Sequence, residues 1–124
     1  MPPQELADYL TAKPEVLAAA TPNPPTPEFL ADRYRESTSA ARVLWGGPYD
    51  RKLRRWLHRI TVPTLLLWGD ADRLVPAGQC DAWAELLPEV EQRILPGVGH
   101  LLFDESPEAV AAVAEFAAAS TAHA

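Results

Sequence analysis

Two short loops hold the residues best suited to chemistry: Gly69-Asp70-Ala71-Asp72-Arg73-Leu74-Val75-Pro76 and Pro96-Gly97-Val98-Gly99-His100. An aspartate beside a histidine is the orienting half of a nucleophilic triad. The carboxylate fixes the imidazole tautomer and stabilises the imidazolium. Both loops follow apolar runs of strand character, and open α/β sheets carry their functional groups at the carboxyl ends of strands. Glycines beside His100 let the backbone turn sharply and set the ring in a cleft. Taken singly, an aspartate after a strand is an ordinary turn residue, and a lone histidine is more often structural.

The elements that must position these loops read as follows. Val62-Pro63 leads into Thr64-Leu65-Leu66-Leu67-Trp68-Gly69, a continuous apolar run that suits a strand covered on both faces of a parallel sheet. Residues 79–87 predict a helix with Cys80, Trp83 and Leu87 on one side and Pro88 as its stop. Gln92-Arg93-Ile94-Leu95 predicts a shorter strand. Ser106-Pro107-Glu108 opens a last helix through Val110, Val113 and Phe116, with Ser106 as its cap and fraying after Ala119. Strand, helix, strand, helix is the order of βαβ units.

Upstream the chain reads as helix and loop. Leu6, Tyr9 and Leu10 have the spacing of a short helix. Seven of the 13 prolines fall in the first 27 residues, and Thr21-Pro22-Asn23-Pro24-Pro25-Thr26-Pro27 is an extended connection, because proline removes donors. Thr26 caps a helix over residues 27–44, with Leu30, Tyr34, Ala41 and Leu44 near one face and Gly46-Gly47-Pro48 as its end. Asp50 caps a second helix through His58 that buries Leu53, Trp56 and Leu57. The chain thus divides into a helical segment (1–50), an α/β part (51–120) and a tail (121–124), with no internal repeat.

With 124 residues the chain holds one domain or less. Its 48% hydrophobic and 23% charged content is that of a globular protein, and a formal charge of -6 argues against nucleic acid or anionic membrane as partner. Arg51, Lys52, Arg54, Arg55 and Arg59 cluster as a solvated face would. Cys80 is the only cysteine, which excludes an intrachain disulfide, and Glu5 and Asp8 stand where a signal peptide would be basic then apolar. A cytoplasmic location is expected. The histidines are too few and scattered for a metal site. His58 and His123 read as a helix-end and a tail residue. Trp45, Trp56, Trp68 and Trp83 read as core, with Trp45 the one that could face a cleft.

In combination these pieces resemble the C-terminal part of an α/β-hydrolase. Residues 60–76 look like that family's seventh strand and acid loop, Gly99-His100 like its histidine loop, and Glu105-Ser106-Pro107-Glu108 like the start of its final helix. The resemblance covers roughly residues 53–117 and makes Asp72, rather than Asp70, the acid and His100 the general base. It makes the helical first half similar to a cap segment, and it implies no cofactor and no metal. The family's nucleophile sits in Gly-x-Ser-x-Gly or a variant elbow. Here Ser37, Ser39, Ser106 and Ser120 lack those glycines, and Cys80 lies inside an amphipathic helix.

The fold class implied is α/β: a C-terminal fragment of an α/β-hydrolase fold, two parallel strands with flanking helices, preceded by a helical cap-like segment. The function implied is a truncated or split hydrolase. It contributes Asp72 and His100 to a Ser-His-Asp-type triad for an ester or related bond, and is inactive alone. The alternative is a non-catalytic, hydrolase-derived module that dimerises or completes its sheet with a partner chain, since uncovered strand edges pair readily. A small ester-like substrate is expected only once the missing half is supplied.

Overall fold

The computed structural model describes residues 3–47, 50 and 52–121. Pro48, Arg51 and His123, named above, lie outside the described residues. Helix α1 (Pro3–Leu10) fulfils the short helix expected, and α2 (Pro14–Ala20) follows it, a helix not foreseen. Its signal was present: Pro14 stands at the first helical turn ahead of an alanine run. After an extended connection whose Asn23–Pro24 bond is cis comes α3 (Pro27–Leu44). Thr26 caps it as expected, its hydroxyl accepting from Phe29 N at 3.2 Å.

The apolar face expected on α3 is uncovered. No residue of this helix is buried, and Leu30, Tyr34 and Leu44 are exposed. Helical periodicity says which side chains share a face; it does not say that anything lies against them.

The single helix expected between Asp50 and His58 is instead two 3-10 turns, Leu53–Arg55 and Leu57–Arg59. Only Leu57 is buried, whereas Leu53 and Trp56 are exposed. Short isolated helices are marginal, and Arg55 and Arg59 would stack like charges one helical turn apart. Lys52, Arg54, Arg55 and Arg59 are exposed, with the Arg59 guanidinium 5.0 Å from the Trp56 ring.

The sheet consists of β1 (Thr64–Gly69) and β2 (Val90–Leu95), parallel and in register from Thr64↔Val90 to Gly69↔Leu95. Helix α4 (Gly78–Ala84) connects them, and α5 (Leu102–Glu105) and α6 (Pro107–Thr121) follow. Gln92 Nε2 donates to Asp81 on α4, and the next residue, Arg93, donates to Glu115 on α6. Successive strand residues point to opposite faces, so α4 and α6 lie on opposite sides of the sheet. Burial of β1 is less complete than the apolar run predicts. Leu65, Leu66, Leu67 and Trp68 are all half-buried and only Gly69 is buried, because β1 has a described strand beside it on one edge alone.

The core is small in number and in side-chain size: Leu57, Cys80, Leu87, Val98, Ala109 and Ala112. On α6 the inward stripe is Ala109, Ala112 and the half-buried Phe116, while Val110 and Val113 are exposed. No described helix is long and apolar enough to cross a membrane.

Candidate active site

The end of β1 and the loop after β2 are laced together by the backbone. Asp70 N donates to Leu95 O at 3.0 Å, continuing the ladder past the strand, and Ala71 N donates to Val98 O at 3.0 Å. Gly69 allows this contact: a Cβ there would stand 2.0 Å from Val98 O. Asp70 is a loop tie, its Oδ1 accepting from Gly97 N at 2.6 Å. Gly97, at φ +68°, adopts the left-handed turn that sends the chain back toward the acid loop.

These ties bring Asp72 and His100 together across 28 residues of sequence, with His100 Nδ1 and Asp72 Oδ2 2.9 Å apart. The Asp72 side chain is 6% exposed and that of His100 is 37% exposed. The two carboxylate oxygens have separate duties. Oδ1 accepts from Leu74 N at 2.9 Å and Val75 N at 2.8 Å, an Asx-type turn that locks the acid. Oδ2 is turned to the imidazole. An ionised carboxylate only accepts, so the neutral imidazole tautomer that fits this contact has its proton on Nδ1 and its lone pair on Nε2.

Beside the pair is a cavity of about 200 Å³ lined by Leu67, Trp68, Asp72, Val75, His100 and Leu102. Trp68 is fixed at its edge, Nε1 donating to Val75 O at 2.8 Å. Trp68, rather than Trp45, is therefore the tryptophan beside the Asp72–His100 pair; Trp45 is 89% exposed at the end of α3.

Cys80, Ser37, Ser39 and Ser106 have other surroundings. Cys80 is fully buried, with Gln92 Nε2 at 3.5 Å from its sulfur. Ser37 and Ser39 are exposed on α3. Ser106, expected to cap α6, is buried and its hydroxyl donates to the Glu108 carboxylate at 2.5 Å. That bond holds the Glu108 carboxyl below its usual range.

Sequence reasoning passed over one residue of this neighbourhood. Glu105 is 4% exposed, and its Oε2 accepts from Gly99 N, the amide just before His100, at 2.8 Å. Its place before Ser106-Pro107 marked a helix start and gave no sign of burial. The N-terminal segment also reaches the site: Leu101 N donates to Leu10 O at 3.1 Å, and the Arg73 guanidinium lies 4.9 Å from the Tyr9 ring.

A family model described as the alpha/beta hydrolase fold matches residues 18–107, a span that contains both Asp72 and His100.

Proposed function

We propose that this chain, which belongs to the α/β-hydrolase fold family, supplies the acid and general base of a Ser-His-Asp-type triad and receives its nucleophile from another segment. The observation that carries this is the Asp72–His100 contact, with the carboxylate's second oxygen pinned by two backbone amides. In such a triad Nε2 of His100 takes the nucleophile's proton as it attacks an ester or related carbonyl. Asp72 stabilises the imidazolium that results, and His100 then returns the proton to the leaving group. Water attacks the acyl intermediate in the second half, with His100 again as base.

The chain's surface supports a role as one part of a larger assembly. It exposes 9379 Å², against the ~6,600 Å² expected for a compact protein of 13.6 kDa. Removal of the nucleophile from a triad leaves only residual catalysis, so the chain alone is inactive in this reading. The exposed apolar residues of α3, Leu30, Tyr34 and Leu44, favour, as a second reading, a non-catalytic module that binds a partner chain or a second copy. The single cysteine, which excludes an intrachain disulfide, supports a cytoplasmic location.

The test is chromogenic ester hydrolysis by the purified chain beside His100→Ala and Asp72→Ala. The assay is repeated after co-expression with an adjoining reading frame that encodes a Gly-x-Ser-x-Gly strand-turn-helix. No turnover alone, and turnover on complementation that both substitutions abolish, is the expected result. Turnover by the chain alone that both substitutions abolish overturns the incomplete-site reading. Stable complexes without turnover favour the partner-binding module.

A further inference from the structure

We propose that Glu105 is the positioning residue for His100, acting through the Gly99 amide and tying the histidine loop to the turn between α1 and α2. This rests on the triad reading of Asp72 and His100, and it adds a residue that does not touch the reacting atoms.

The observations converge on one carboxylate. Glu105 Oε2 accepts from Gly99 N at 2.8 Å and from Ala12 N at 3.1 Å, two amides 87 residues apart in the chain. Lys13 Nζ donates to the Glu105 carbonyl, closing the clasp on the other side. Gly99 is gripped between the two parts: a Cβ there would stand 2.5 Å from Ala12 N, 2.8 Å from Glu105 Oε1 and 3.0 Å from Thr11 C. The residues on both sides of His100 are thereby held. Gly99 N is held by Glu105, and Leu101 N by Leu10 O, while Val98 O is held from the acid loop by Ala71 N.

The energetics argue that this is more than packing. Burying a carboxylate is costly unless its lone pairs are met by donors. Glu105 Oε1 is buried and accepts no hydrogen bond from a described protein group, so this carboxyl is not fully met by donors. Such costs persist where the surrounding structure fixes a geometry that matters. The geometry fixed here is the backbone on which the imidazole turns toward Asp72. A displaced Gly99 rotates the Cα–Cβ bond of the next residue and moves Nδ1 off the carboxylate.

The experiment uses the chain itself and needs no turnover, so a failed hydrolysis assay and a failed Glu105 assignment are distinguishable. The His100 Nδ1–H resonance is recorded in ¹⁵N-labelled protein, with Asp72→Asn identifying it as the proton shared with the acid. Amide exchange is followed at Gly99 and across β1 and β2. In Glu105→Ala, Gly99 exchange is expected to accelerate about tenfold or more and the Nδ1–H signal to vanish or shift, with sheet amides unchanged. Glu105→Gln retains an acceptor oxygen and restores both. An unaltered His100 signal in folded Glu105→Ala overturns the proposal. So does loss of sheet protection in step with Gly99, which marks a purely structural role. Should Glu105→Ala fail to fold, Glu105→Asp decides the matter, since it draws the carboxylate back by one methylene. A displaced His100 signal over an intact sheet sustains the assignment, and an unchanged signal overturns it.

Discussion

Replacing Gly69 by alanine tests whether the close approach of the two loops is what brings Asp72 and His100 together. The added Cβ would meet Val98 O at 2.0 Å, Val98 C at 2.6 Å and Gly99 O at 2.8 Å, all of them backbone atoms. Side chains cannot swing aside to make room. An ordinary carbon–oxygen contact is about 3.3 Å or more, so the loops must part by more than about 1 Å. That separation breaks the 3.0 Å bond from Ala71 N to Val98 O and loosens the 2.9 Å Asp72–His100 contact. Overpacking costs about 1–3 kcal/mol and a lost backbone hydrogen bond about 1 more, so a destabilisation of about 2–4 kcal/mol is expected. Two other glycines calibrate the effect. At Gly78 a Cβ meets nothing within 4 Å, and alanine at this first residue of α4 should stabilise by about 0.5–1 kcal/mol. At Gly97 the space is also open, but φ is +68°, so alanine should cost about 1–2 kcal/mol from backbone strain alone. Urea denaturation followed by tryptophan fluorescence gives the three midpoints, with unchanged slopes showing that stability is what moved. A Gly69→Ala protein as stable as the wild type, or as Gly78→Ala, would refute the argument that these loops are in backbone contact.

Acid should act through Glu108. The Ser106 hydroxyl lowers the Glu108 carboxyl, so its stabilising contribution is present above the ordinary carboxylate range and is lost as pH falls through the folded value. In Ser106→Ala the Glu108 titration measured by NMR should rise toward the ordinary range, and unchanged titration would assign the shift elsewhere. Helix α3, with no buried residue, should exchange its amides faster than β1 and β2, and Thr26→Ala should reduce its helicity by removing a cap of about 1 kcal/mol. Equal protection of α3 and the sheet would show that its apolar face is covered.

The parts of this fold that were legible in the sequence are those governed by local chemistry. Thr64–Gly69 declared a strand by its unbroken apolar run, and the loops after both strands declared themselves by glycine, proline and aspartate. Thr26 and Pro27 announced the start of α3 to the residue. What was not legible depends on partners. The face of α3 was readable and its exposure was not, because periodicity carries no information about what lies opposite. The residues 53–59 had helical spacing of apolar groups, but charge crowding and shortness turned them into 3-10 turns. On α6 Ala109 and Ala112 face inward while Val110 and Val113 are exposed, an orientation that apolar residue type alone does not decide. Glu105 was invisible because its partners, Ala12 and Gly99, donate through backbone, which leaves no trace in side-chain identity.

Cys80 gives the α/β half a built-in clock. It is the chain's sole cysteine, it is fully buried, and it sits on the helix that links the two strands. A thiol reagent reaches the sulfur only when the packing around Cys80 opens, so the rate of labelling reads out how often the scaffold beneath the Asp72–His100 pair opens. Because nothing else in the chain competes for the reagent, that rate belongs to one site. The opening of the scaffold can thus be followed without interference from α3, which has no buried residue and carries no cysteine.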